Sequence, residues 1–170
     1  MKTYPVIKLR AVEPEDLDIL YGIENNKQLW SVGVTSVPYS RYILHDYIAN
    51  TKNDIYTDGQ VRFMIENESG EVVGTVDLTN FDPKNNKAEM GIVIITHYRH
   101  KGYATATISQ IADYALSVLH LHQVYVVIAE SNKIAIDMFG KAGYQKTAIL
   151  QEWLYNGKKY ENAVVLQTFL

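Results

Sequence analysis

Two groups of residues in this chain have types and spacing that could do chemistry. The first is the run Arg99-His100-Lys101-Gly102-Tyr103-Ala104-Thr105, which follows the nearly unbroken apolar stretch Ala88 to Ile95 and precedes a strongly periodic segment. A turn from a buried strand into a helix presents amides with no internal partner, and the helix dipole adds partial positive charge, so the place suits an anion such as a diphosphate. Gly102 lets a backbone approach closely because it has no Cβ. Arg99, His100 and Lys101 add electrostatic attraction for phosphate. The pattern of Arg, two residues, Gly, one residue, Ala is short and arises by chance in about one chain of this size in six. Its place between a strand and a helix gives it weight. No Gly-Lys-Ser/Thr loop and no G-x-G-x-x-G competes with it.

The second is Glu89, the one acid in the apolar run. A carboxylate there must be hydrogen-bonded to be tolerated. It is either structural or a base that takes a proton from an attacking group, directly or through water.

The elements that must position these residues can be read from periodicity. Val6 to Val12 alternates as a strand. Pro14 sits at a first helical position among Glu13, Glu15, Asp16 and Asp18, whose charges suit a helix N-terminus, and Ile19, Leu20, Ile23 and Leu29 form that helix's apolar face. A weaker helix spans 39–51. Residues 61–65 and 72–79 read as strands joined at Glu68-Ser69-Gly70. After the turn 82–86, the run 88–95 suits a strand covered on both faces. Residues 102–119 form the clearest helix, with Ala104, Ile108, Ile111, Ala112, Ala115, Val118 and Leu119 recurring at three- and four-residue steps. A strand over 124–129 follows, making a strand–helix–strand crossover between parallel neighbours. A helix from Asn132 to Lys141 stops at Gly143. Strands over 144–155 and 159–169 close the chain through Asn156-Gly157, a hairpin turn.

Composition narrows the function classes. The chain of 170 residues is read as one domain, 1–170, with 47% hydrophobic and 21% charged residues. A net charge of −3 gives no general attraction to nucleic acid. With no cysteine, disulfides, zinc–thiolate sites and a cysteine nucleophile are excluded. His120 and His122 do not point together on a helix end, so no metal is expected. No stretch approaches the roughly 18 apolar residues of a membrane helix, and no signal peptide is read at the N-terminus, which leaves the cytoplasm as the expected compartment and no membrane partner.

The turn at 99–105 resembles the acetyl-CoA signature of the GNAT superfamily of N-acetyltransferases. Asn132-Lys133-Ile134-Ala135-Ile136-Asp137-Met138-Phe139-Gly140-Lys141-Ala142-Gly143-Tyr144 is similar to that family's helix after the fifth strand. Ile7-Lys8-Leu9-Arg10 with Glu15-Asp16-Leu17, and the closing Glu152 to Ala163, are also typical. The nearest look is to the branch of spermidine and ribosomal-protein N-terminal acetyltransferases. The resemblance implies an α/β (α+β) fold, a mixed sheet of six to seven strands with about four helices and splayed parallel fourth and fifth strands. It implies acetyl-CoA as co-substrate and an amine acceptor, a small molecule or a peptide N-terminus, attacking the thioester directly. Arg99, His100, Lys101, Gly102, Tyr103, Ala104 and Thr105 would cradle pyrophosphate. Ile92, Val93 and Ile94 would offer backbone groups to pantetheine, in the manner of an added strand. Asn132, Phe139 and Lys141 would adjoin the cofactor. Fixed amides of the pantetheine-binding strand would stabilise the oxygen of the tetrahedral intermediate. Relatives are often dimers or larger, so a homo-oligomer is open.

The implied chemistry has one gap. A lysine-like amine must lose a proton, which at pH 7 costs roughly 4–5 kcal/mol, and Glu89 is the expected base or amine-binding group. The family's usual proton donor to the leaving thiolate, a tyrosine, falls at Phe139, and the serine of some relatives falls at Ala135. Solvent could protonate the thiolate, another tyrosine could substitute (Tyr125, Tyr155 or Tyr160), or the protein could bind acetyl-CoA as a sensor or subunit with little turnover. The acceptor is expected near Trp30 and Tyr39. The stretch 29–39 carries no carboxylate, where spermidine-acetylating relatives place acidic residues.

Overall fold

The computed structural model describes residues 4–30 and 36–170, with Trp30 described by its backbone alone. Strands β1 (Ile7–Arg10), β2 (Val61–Asn67), β3 (Val72–Asp82), β4 (Lys87–Ile94), β5 (Gln123–Ala129), β6 (Gln145–Tyr155) and β7 (Tyr160–Phe169) form one sheet in the order β1-β2-β3-β4-β5-β7-β6. Neighbours are antiparallel except β4 and β5, which are parallel. Helices α1 (Leu17–Glu24), α2 (Lys27–Trp30), α3 (Arg41–Asn50), α4 (Ile55–Asp58), α5 (Tyr103–Ser117) and α6 (Lys133–Lys141) complete the fold. Four of these have eight residues or more, in line with the expected count; α2 and α4 are single turns.

Alternation along the strands divides the side chains between two faces. Ile65, Val76, Met90, Val124, Val126 and Val164 pack with Ile108 and Ile111 of α5 and Phe139 of α6 in the main core. Fully burying each side chain of this size contributes about 1.5–3 kcal/mol. On the opposite face Met64 of β2 meets Leu20 of α1 and Leu44 of α3.

The first helix departs from its expected length. One helix was expected to reach Leu29, but α1 ends at Glu24 and α2 begins at Lys27. The break lies in two asparagines, whose side chains compete for backbone groups. Asn25 donates from Nδ2 to the Tyr39 carbonyl at 3.0 Å and accepts from the Tyr39 amide at 2.8 Å. Asn26 Oδ1 accepts from the Gln28 amide at 3.0 Å. The acidic cluster at the helix start does more than offset a dipole. Asp16 is buried and takes a two-pronged bond from Arg10, at 2.7 and 2.9 Å, while the Arg10 Nε reaches Glu66. Helix α4, capped by Asp54, was not foreseen.

Candidate active site at the fork between two parallel strands

Strands β4 and β5 pair over three positions only: Lys87 with Gln123, Ala88 with Val124, and Glu89 with Tyr125. Beyond that, β5 stays paired with β7 through Ala129 and β4 stays paired with β3 through Ile94. The two parallel strands therefore part just after Glu89 and Tyr125. Among the described residues, the edge of β4 over Met90, Gly91, Ile92, Val93 and Ile94 that faces β5 has no strand beside it, and an unpaired strand edge is ready to accept an extended ligand by backbone hydrogen bonds.

The turn expected to hold pyrophosphate stands at the far end of that open edge. A 3-10 turn over Thr96–Tyr98 leads to His100 at φ +61° and Gly102 at φ +88°, the residue that caps α5. Left-handed residues in a turn draw successive N–H groups into a concave row suited to an anion. The cap has no side-chain hydrogen bond, and the first helical donor is Ala106, bonded to the Gly102 carbonyl at 3.0 Å. The amides of Tyr103, Ala104 and Thr105 thus have no acceptor within the helix. Lys101 and His100 are exposed around them.

Two residues of the turn also have roles within the fold. The Arg99 Nε donates to the Ile94 carbonyl at 2.9 Å, so this side chain ties the turn to the end of β4. Gly102 was expected to clear space for a ligand. A Cβ built on it would lie 3.0 Å from Pro5 Cδ and 3.4 Å from the Tyr4 ring, so the missing side chain also makes room for the N-terminal segment.

Glu89 is half-buried at the fork. Its Oε2 accepts from Asn80 Nδ2 at 2.7 Å. The Tyr125 phenol opposite has a pKa raised above its ordinary value, first by burial and then by the charge of Glu89. It therefore stays a protonated donor at neutral pH. The α1 face of the sheet continues past Glu89 to Asp77, which with Glu24 of α1 clamps Arg62 at 2.6 and 2.7 Å. Between α1 and the end of β4 lies an open recess of about 300 Å³, lined by Ile19, Ile23, Leu29, Val93, Thr96 and Arg99 among others. Its lining is mainly apolar. Asp18, at the rim, pairs with Arg41 at 3.0 Å.

The remaining expected site residues are dispersed. Asn132 caps α6, accepting from the Ala135 amide at 3.2 Å, which leaves its Nδ2 donors for another partner. Lys141 is exposed and pairs with Asp137. Phe139 is 5% exposed and packs edge-to-face on Tyr144 at 5.1 Å, inside the main core. Tyr155 and Tyr160 are register partners with ring centroids 5.3 Å apart at the exposed β6–β7 tip. The fork level of β7 is Gln167, seven positions from Tyr160, or roughly 23 Å of extended strand. The structure therefore does not bring these two tyrosines to Glu89; Tyr125 is the tyrosine beside it. Tyr39 is half-buried, packed on the small core and bracketed by Asn25. The side chain of Trp30 lies outside the described residues. The sequence reading missed Asn80, and its place in the long turn-bound strand gave no periodic signal.

Comparison with known proteins decides the family. The profile described as "Acetyltransferase (GNAT) domain" matches residues 7–145. The chain belongs to the GNAT acetyltransferase family. Similar proteins include the spermidine N(1)-acetyltransferase of Escherichia coli strain K12, 29% identical over 96% of this chain and 86% of that one. The spermidine N(1)-acetyltransferase of Vibrio cholerae is 26% identical over 89% of this chain and 87% of its own length. A crystal structure of spermidine N-acetyltransferase from Vibrio cholerae, in complex with CoA and spermine, superposes with a TM-score of 0.86 at 25% identity, covering 96% of this chain and 95% of that one. The mixed sheet with its single parallel, forked pair is thus the GNAT fold, and the chain is an N-acetyltransferase that uses acetyl-CoA as co-substrate and an amine as acceptor. Among the described residues, no helix is long and apolar enough to cross a membrane.

Proposed function

We propose that this GNAT enzyme acetylates a small primary amine at the fork, with Glu89 receiving the amine's proton. The observation that carries this reading is the position of Glu89, the carboxylate at the point where β4 and β5 separate, held by Asn80 at 2.7 Å. Acetyl-CoA supplies a thioester carbonyl. The open edge of β4, from Met90 to Ile94, holds the pantetheine arm, and the amides of Tyr103, Ala104 and Thr105 hold the diphosphate, aided by Lys101 and His100. Tyr125 provides the nearest hydroxyl to steady a departing group or a water. The names of the relatives make a polyamine the first acceptor to test. The recess itself is mainly apolar, and Glu24, Asp77 and Asp18 are engaged with arginines, which favours an amine with one charged end over a long polycation.

Thiol release from acetyl-CoA, measured over spermidine, shorter diamines, arylalkylamines and peptide N-termini, tests this. A small amine is expected to turn over with higher kcat/KM than any peptide. Turnover on peptides alone would overturn the acceptor class, and no turnover with any acceptor would favour a sensor or subunit, the reading supported by the buried Phe139 at the usual tyrosine position.

We also infer a homo-oligomer. Among the described residues, strand β6 is an unpaired sheet edge that leaves Ile149 48% and Trp153 60% exposed, and such edges are ordinarily covered. The Vibrio cholerae relative has been described in a dodecameric structure. A monomer mass by light scattering at micromolar concentration would contradict this.

A further inference from the structure

The β3–β4 hairpin contains a defect whose effect is local to Glu89. The two strands pair regularly from Gly74 with Ile94 to Thr79 with Glu89, and the next pair is Asp82 with Lys87. Asn80 and Phe81 therefore oppose the single residue Ala88, the two-against-one count of a β-bulge. In an unbroken strand, residue 80 would face the main core, opposite to Thr79 and Glu89. Instead Phe81 packs against that core and edge-to-face on Tyr56 at 5.1 Å. Asn80 takes φ +49°, a left-handed conformation that asparagine tolerates better than most side-chain-bearing residues. The result is that its amide meets Glu89 Oε2 at 2.7 Å.

We propose that Asn80 is a positioning residue for Glu89, and that the β3 bulge serves to deliver its amide to that carboxylate. The proposal rests on the reading of Glu89 as the base. One amide donor fixes the carboxylate's rotation, while a carboxylate's four or so acceptor positions leave room for the amine or a water. The Tyr125 phenol, brought from β5 by the register opposite Glu89, lies near both Glu89 and Asn80. The other charges near Glu89 on this face come in opposite pairs, Asp82 with Lys87 and Asp77 with Arg62. Asp82 also takes an asparagine amide, Asn85 Nδ2 at 2.7 Å, within its own turn; Asn80 is the amide that the bulge brings to the carboxylate at the fork.

The test compares N80G, N80D, E89Q and the N80G/E89Q double variant through kcat, the KM of each substrate and thermal melting. Glycine and aspartate both sustain a positive φ and so keep the bulge. N80G removes the donor and is expected to lower kcat roughly tenfold with the KM for acetyl-CoA unchanged, and to cause no further loss when added to E89Q. N80D places a second acceptor where the donor stood and is expected to lower kcat at least as far. A purely structural bulge predicts wild-type kcat for both variants, or the same loss from N80G with and without E89Q, and either result overturns the proposal. If E89Q itself keeps wild-type kcat, the reading of Glu89 as base has failed and this proposal with it. If E89Q is slow while N80G and N80D are unchanged, only the role of Asn80 has failed.

Discussion

Replacing Glu89 by glutamine is expected to slow acetyl transfer at pH 7 by roughly 10²–10⁴-fold, the range of a lost general base. Glutamine has the same shape, and its carbonyl can still accept from Asn80, so the fold and the affinity for acetyl-CoA should stay within about twofold of wild type. The loss should shrink as pH rises. An amine with a pKa near 10.4 gains about tenfold in its neutral fraction per pH unit below that value, so free amine progressively replaces the missing base. The measurement is steady-state kcat and kcat/KM for the best amine between pH 6 and 10. A variant that keeps more than a third of the wild-type kcat at pH 7 would remove Glu89 from the chemistry.

The second large effect is on stability. Arg62 of β2 bonds Asp77 of β3 through Nε at 2.6 Å and Nη2 at 3.0 Å, and Glu24 of α1 through Nη1 at 2.7 Å. Its side chain is 22% exposed, and burial also raises the pKa of Tyr47 nearby. Replacing Arg62 with alanine leaves Asp77 and Glu24 facing each other without the guanidinium, and removing one partner of a buried pair costs about 3–5 kcal/mol. With partial solvent access the lower end is expected, which for a domain of this size lowers Tm by roughly 6–12 °C. Because Glu24 ends the helix that walls the recess, the KM for the amine should rise more than the KM for acetyl-CoA. Differential scanning calorimetry checks the first part and two-substrate kinetics the second. A Tm within 2 °C of wild type would show that the triad contributes little.

The parts of the fold governed by periodicity could be read from the chain. Helix α5 and strands β4 and β5 show their faces as unbroken apolar or three-and-four-residue repeats, and Gly143, at φ +95°, stops α6 as a C-terminal cap should. The strand-to-helix turn proposed as the cradle was legible for the same reason: a glycine and three basic residues sit where a buried strand turns into a strong helix. What could not be read depends on side chains meeting across long separations. Asn25 breaks the first helix by bonding to Tyr39, fourteen residues away. Asp16 looked like a helix-start charge and is a buried partner of Arg10. Asn80 reaches Glu89 only because a bulge reverses its face, and no strand periodicity announces a bulge. Tyr155 and Tyr160 were candidate substitutes for the missing proton donor, yet the register of β7 carries them to its exposed tip.

The proposed cradle at 99–105 bears the weight of the whole arrangement, since it would set the direction in which the thioester enters the fork. Titration calorimetry with coenzyme A and with pantetheine, the same arm without the diphosphate and nucleoside, addresses it most directly. Two amide-to-phosphate bonds at about 1.5 kcal/mol each correspond to roughly a hundredfold in affinity. Coenzyme A is therefore predicted to bind in the micromolar range and pantetheine at least a hundred times more weakly. Equal affinity for the two, or no heat from coenzyme A at millimolar concentration, would contradict the account.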